Sequence, residues 1–231
     1  MIFKTIIGNK FLLKIFVLIR LLFFVIIMRR LKYIKEGKET FKDTTKRNLK
    51  SLFSLRDCYA GERSDFFLKK LKKIKFKDLE NKKILIVGPR NEGEIFNFVS
   101  KGFRYENIFC IDLISYTNKI KLMDVNKYLR KFNYKFDLIY LGFVYGYLRK
   151  SKSVIDLSYK RLNKDGIIAI TNEVNRKKIN LRYKDKKFNS LIEIQKNFKK
   201  KFNNLISCYY SEKLNNKNIN RCMLVVNKVK K

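Results

Sequence analysis

Residues 83–94 read Lys83-Ile84-Leu85-Ile86-Val87-Gly88-Pro89-Arg90-Asn91-Glu92-Gly93-Glu94. A short apolar run stops at a glycine, as a parallel strand buried on both faces does. Glu94 to Lys101 then reads as a helix, with Ile95, Phe98 and Val99 on one face. The stretch from Gly88 to Gly93 is thus a strand-to-helix turn, the place where a doubly wound sheet holds a nucleotide. Gly88 permits the sharp turn and Gly93 permits close backbone approach. A dinucleotide fingerprint wants glycine where Arg90 stands. A large side chain there crowds a pyrophosphate, while its charge suits a carboxylate or phosphate.

Working outward, Asn107 to Ile111 is a second strand ending at Asp112. Ile120 to Met123 is a short third strand ending at Asp124, and Phe136 to Leu141 is a fourth. Ser153 to Leu162 is a helix, and Asp165-Gly166 turns into a strand over Ile167 to Thr171. Strands alternating with helices predict an α/β fold with a doubly wound, mostly parallel sheet. After residue 172, Asn189 to Phe202 reads as a basic amphipathic helix. Asn204 to Ser211 and Arg221 to Lys228 read as strands joined by a polar loop, so the last strand is expected to be antiparallel.

Two carboxylates stand where a nucleoside would need them. Asp112 ends the second strand, 19 residues after Gly93, and can accept both hydroxyls of a ribose. Asp124 ends the third strand and can receive an adenine amino group, directly or through the Val125 backbone. Each could equally cap a helix or loop. Tyr116 could stack on a base or lie in the core.

Composition bounds the rest. The chain has 231 residues, which fits one domain with an appendage. Hydrophobic content of 46% is enough for a core. There is no histidine, which excludes His-based acid–base catalysis, Ser-His-Asp and Cys-His machinery and every His-containing metal site. Cys58, Cys110, Cys208 and Cys222 form no Cys-x-x-Cys pair, so neither zinc nor a disulfide scaffold is expected. Lys and Arg number 55 against 20 Asp and Glu, a net charge of +35. Lysines occur in every segment, so the charge reads first as a bias in composition and second as selection for an anionic partner. Nucleic acid stays open as such a partner. However, no aromatic–basic recognition motif is present, and residues 140–147 hold no recognisable target-base motif.

Residues 11–28, FLLKIFVLIRLLFFVIIM, hold 15 Leu, Ile, Phe or Val among 18 residues. As a helix they would span roughly 27 Å, just short of a bilayer's hydrocarbon core. Arg20 is the main cost of insertion, and Lys14 could snorkel. No small-residue cleavage site follows, which argues against a removable signal. The cluster Arg29, Arg30, Lys32 and Lys35 would keep the following domain on the cytoplasmic side. The expectation is a short membrane anchor over residues 1–31, with a helix packed on protein as its alternative. Residues 32–55 read as a polar helical linker, with the α/β domain running from 56 to 231. That places the domain in the cytoplasm, tethered to the membrane's cytoplasmic face.

The ordered set ILIVGPRNEGE, FCIDLIS, KLMDVNKYL, FDLIYLGFVYGY and RLNKDGIIAIT resembles the class I S-adenosylmethionine-dependent methyltransferases, a Rossmann-like family. The resemblance covers about 83–171 well, and its specific part is the order of the motifs. Two departures stand out: Ile86-Val87 replaces the family's acidic residue near the end of the first strand, and the glycine loop lacks its middle glycine. The resemblance implies S-adenosylmethionine as cofactor. Its methionine part would lie by Gly88, Pro89, Arg90 and Gly93, its ribose by Asp112 and Leu113, and its adenine by Asp124 and Val125. Gly142 and Phe143, with Val144 and Tyr145, would line the sulfonium and the acceptor. A base for an oxygen acceptor would come from Tyr145, Tyr147, Glu173 or Asp137, with Tyr145 and Glu173 the candidates retained. Tyr59, Gly61 and Arg63 could close over the cofactor carboxylate. The acceptor would be a small molecule, or a membrane-proximal glycan or lipid intermediate.

Two other readings compete. One is a membrane-tethered, non-catalytic protein on the same fold. The other is an NAD(P)-dependent reductase or epimerase, for which Tyr183/Lys187 and Tyr209/Lys213 have Tyr-x-x-x-Lys spacing.

Overall fold

A computed structural model describes residues 5–6, 8–34, 52, 62–74, 76–145, 148, 150–175, 206–210 and 219–228. Helix α1 (Lys10–Leu22) passes into a π-helical turn over Phe23–Ile27. Strand β1 is Lys32–Tyr33 and helix α2 is Glu62–Leu68. The alternating core comprises β2 (Ile84–Val87), α3 (Glu92–Val99), β3 (Ile108–Asp112), β4 (Ile114–Ser115), β5 (Ile120–Leu122), α4 (Val125–Lys131), β6 (Phe136–Gly142) and α5 (Ser151–Lys160). It closes with β7 (Leu162–Asn175), β8 (Ile206–Tyr210) and β9 (Ile219–Asn227).

The main sheet has 7 strands in the order β5-β3-β2-β6-β7-β9-β8. β5, β3, β2, β6 and β7 run parallel. β9 inserts between β7 and β8, antiparallel to both, as a closing hairpin must. All four residues of β2 are buried, which is why its sequence shows no alternation. The pleat still sorts the side chains. Ile84, Ile86, Cys110, Leu138 and Tyr140 join Phe67 and Phe98 on one face. Leu85, Val87, Ile111, Ile139 and Leu141 pack with Val125, Leu129, Val154 and Ile155 on the other.

Local chemistry sets the ends of the helices. Asn91 accepts from the Gly93 N–H and starts α3. Asp124 accepts from the Asn126 and Lys127 N–H groups and starts α4. β7 is far longer than the five residues expected, because β9 pairs along it from Ile167 to Asn175. The helix expected over 189–202 lies outside the described residues.

The N-terminal segment departs most from expectation. Among the described residues, no helix is long and apolar enough to cross a membrane. α1 lays Leu13 and Val17 against Phe96 of α3, and Leu21 joins the core beside the sheet. Arg20, the expected cost of insertion, instead pairs with Glu92: Nε lies 2.8 Å from Oε2 and Nη2 lies 3.0 Å from Oε1. The guanidinium also faces the Phe16, Phe24 and Phe96 rings at 5.6, 5.1 and 5.8 Å. Lys32 and Tyr33, expected in the linker, pair antiparallel with Ser115 and Ile114. The Ile34 N–H donates to the Leu113 carbonyl at 3.0 Å.

Candidate functional site

The order of strands reverses between β2 and β6, the switch point of an open α/β sheet. In register, Val87 stands between Ile111 and Leu141, so Gly88, Asp112 and Gly142 meet at one carboxyl edge. Asp112 pairs with Leu122 of β5, and the Met123 N–H donates to the Asp112 carbonyl at 3.0 Å. The sheet thereby brings Asp124 beside Asp112.

The turn after β2 is tightly held. Gly88 has φ +69°, the left-handed region that glycine occupies without strain. Arg90 has φ 60°, the conformation for which the fingerprint uses glycine. Its N–H donates to Asp112 Oδ2 at 2.8 Å. The other carboxylate oxygen, Oδ1, accepts from the Leu113 and Ile114 N–H groups at 2.6 and 3.3 Å. Asp112 therefore pins the turn, offsetting the strain at Arg90 with a charge-assisted hydrogen bond. Gly93 is buried inside α3, its N–H taken by Asn91.

Val144 sits directly over Gly88. A Cβ added to Gly88 would lie 2.3 Å from Val144 Cγ1. Phe143 turns the chain there with φ 58°, and its N–H donates to the Thr171 carbonyl at 3.0 Å. Tyr145 is buried next in line.

A cavity of about 940 Å³ lies beyond the ends of β3 and β5 and runs along α4 to the start of α5, with Lys127, Arg130, Lys131 and Lys150 on that side. Leu113, Met123, Asp124 and Val125 line it, with Ile34 and Leu148 among the other walls. None of Gly88 to Gly93, Gly142 or Phe143 does. The expected site thus divides. The residues expected near adenine face open space, and those expected near the methionine part close on one another.

Sequence reading missed two residues. Glu92 and Glu94 are wholly buried in the first turn of α3, and Glu94 Oε1 lies 3.1 Å from where a Gly142 Cβ would be. The Glu92 N–H donates to the Tyr116 hydroxyl at 3.0 Å, which puts Tyr116 in the core and away from any base. Burial, with Glu92 nearby, pushes Tyr105 up to about 12. The signal was available: two carboxylates flank a glycine in a chain with only 20 acidic residues. Val144 was expected near the sulfonium, but its contact with Gly88 was not, since only the approach of two loops makes it.

Other candidates fall elsewhere. Asp137 accepts from the Lys83 N–H at 2.8 Å and from Asn163 at 3.1 Å, at the opposite edge of the sheet. Glu173 pairs with Arg221 in the β7–β9 ladder. Tyr209 is in the outermost strand, opposite Met223. Tyr59, Gly61, Tyr147, Tyr183, Lys187 and Lys213 lie outside the described residues, as does the Arg63 side chain.

No family profile and no curated protein matches this sequence. Solved structures match its fold at low identity. The plantazolicin methyltransferase BamL, in complex with a triazolic desmethylPZN analog and SAH, has a TM-score of 0.54 at 10% identity, covering 96% of this chain and 98% of that one. An O-methyltransferase from Bacillus cereus in complex with SAH has 0.53 at 11%, covering 84% and 93%. The plantazolicin methyltransferase BpumL, with a monoazolic desmethylPZN analog and SAH, has 0.51 at 13%, covering 81% and 92%.

The fold is that of the class I methyltransferases. In a methyltransferase fold the order observed here puts the cavity on the β3–β5 side of the switch point. At about 940 Å³ it falls within the usual size of a small-molecule site, roughly 300–1,000 Å³. The cavity is large enough for a nucleoside, and the Val144 side chain fills the space beside Gly88.

Proposed function

We propose that this chain is an S-adenosylmethionine-dependent methyltransferase. The observation that carries the proposal is the cavity beyond β3 and β5, with Asp124 and Val125 on its wall and Asp112 beside it. Val125 would pack against the adenine ring and Leu113 against the ribose, and Asp124 would meet the adenine amino group. Asp112 would reach the ribose while holding the Arg90 N–H. Gly88, Pro89, Arg90, Gly142 and Phe143 would border the methionine part once Val144 has moved. Gly93 acts one step removed, as part of the helix start that fixes this turn.

The cofactor supplies a methyl group on a positively charged sulfur, so the acceptor atom forms a bond to carbon as the carbon–sulfur bond breaks. This chain then has to align the acceptor and exclude water. An oxygen acceptor must also lose a proton. With no histidine in the chain, Tyr145, buried next to Val144, is the group we assign to receive it. We assign the acceptor to small molecules, with a glycan or lipid intermediate the class that suits the apolar N-terminal helix.

A non-catalytic role on the same fold has one observation in its favour, the Val144 side chain over Gly88. Calorimetric titration of the full chain with S-adenosylmethionine, SAH and NAD separates the readings. Micromolar binding of the first two is expected, lost in Leu113→Trp, whose indole fills the cavity from a partly exposed position. Binding of NAD alone would sink the methyltransferase reading. A folded chain that binds none of the three would favour the non-catalytic reading.

A further inference from the structure

α1 is apolar over most of its surface, with Lys10, Lys14 and Arg20 at its sides, and among the described residues only one face is covered. Leu13, Val17 and Leu21 are buried against the domain. Phe11, Leu12, Ile15, Ile19, Leu22 and Phe23 are exposed, and Ile26, Ile27 and Met28 continue the strip through the π-helical turn. At 100° per residue, positions 11, 12, 15, 19, 22 and 23 fall within an arc of roughly 120°. Exposure reaches 69% at Phe11, 60% at Ile19 and 68% at Ile27. Nine such side chains make a patch larger than the few hundred Å² that a typical monomer shows.

The charge around the patch says what covers it. Residues 1–35 contain no Asp or Glu; their charges are Lys4, Lys10, Lys14, Arg20, Arg29, Arg30, Lys32 and Lys35. Arg29, Arg30 and Lys32 are exposed just past the end of the strip. A second copy of the chain would bring the same basic flanks, and a further net charge of +35 spread over the whole chain, so self-association is opposed. A surface with apolar depth and negative headgroups is complementary on both counts.

We propose that the outward face of α1 lies in the interface of an anionic bilayer, docking the domain on the membrane without crossing it. Ile15, Ile19 and Ile26 enter the acyl boundary, and Arg29, Arg30 and Lys32 meet headgroup phosphates. Arg20 stays on the protein side, paired with Glu92, so no unpaired charge enters lipid. β1 follows directly and leads to Ile34 at the cavity wall, which sets the cavity close to the membrane.

The chain has no tryptophan, so Ile19→Trp introduces a single indole, excited selectively over the tyrosines, at an exposed position. The full-length protein is mixed with phosphatidylcholine vesicles, with and without a minority of phosphatidylglycerol, and floated on a density gradient. Flotation with the anionic vesicles, a blue shift and quenching by brominated acyl chains are expected. Ile15→Ser with Ile26→Ser should weaken binding at least tenfold, and Arg29→Gln with Arg30→Gln and Lys32→Gln roughly a hundredfold. A folded protein that stays off anionic vesicles overturns the proposal. So does binding that salt abolishes but the serine changes leave intact, since that is electrostatics without insertion. A blue-shifted indole without lipid, in a particle of twice the monomer mass, would assign the face to a second copy instead.

Discussion

Replacing Arg20 by methionine removes the cation and keeps most of the apolar stem. The Glu92 carboxylate is fully buried, whereas the Arg20 side chain is 31% exposed. The two hydrogen bonds of 2.8 and 3.0 Å form a bidentate fork, and Glu92 raises Arg20 above its ordinary value. Removing one partner of such a pair leaves the other charge uncompensated in the interior, a cost of about 3–5 kcal/mol. At roughly 2–4 °C per kcal/mol for a chain of this size, Tm should fall by about 6–20 °C. A domain of this kind is stable by only about 5–15 kcal/mol, so the loss is a large fraction of the total. Arg20→Met with Glu92→Met removes both charges and should recover most of the loss, because an apolar pair leaves nothing to desolvate. The assay is denaturant unfolding of the full chain, the single variants and the double variant, each at matched ionic strength. Were α1 anchored in lipid and not packed on α3, Arg20→Met would be harmless to the domain. A single variant within 1 kcal/mol of the parent, or a double variant no better than the single, would refute the packing argument.

Other predictions follow from the same geometry. Gly88→Ala should cost about 1–2 kcal/mol for the left-handed backbone, and about 1–3 more for its overlap with Val144; adding Val144→Ala should restore only the second part in urea unfolding. Val144→Ala alone should tighten S-adenosylmethionine in calorimetry by clearing the space over Gly88, and unchanged affinity would remove Val144 from the site. Burial pushes the Asp65 carboxyl up, but hydrogen bonds from Lys10 and Asn97 outweigh it and hold the group below its ordinary value of 3.8. Its stabilisation is present above 3.8 and is lost as pH falls through the lower folded value. Asp65→Asn should therefore be less stable than the parent at neutral pH, with the gap closing in acid.

The parallel core was legible because its strands are short and apolar and end at Gly88, Asp112 and Asp124, and strand ends are where nucleotide chemistry gathers. The start of α4 at Asp124 and the antiparallel end of the sheet were legible for the same local reasons. The role of Asp112 was half legible. Its place at the strand end is a matter of spacing, but its bond to the Arg90 N–H depends on how the neighbouring turn folds back over it. The length of β7 was missed because it is set by the distant β9, not by its own residues.

The N-terminal helix marks the limit of reading the chain alone. The length of the apolar run over residues 11–28 pointed to a helix with basic flanks, since 18 residues are too many for one strand. Composition determined that a chain without histidine must do its chemistry by other groups. What α1 packs against could not be decided there, because Arg20 and Glu92 are 72 residues apart and read separately as a flaw in a span and a loop acid. Only the tertiary structure joins them, since a buried charge is tolerable only where its partner is within hydrogen-bond reach. The same holds for Val144 and Gly88: a glycine's neighbour in space is fixed by the meeting of β2 and β6, not by any local pattern.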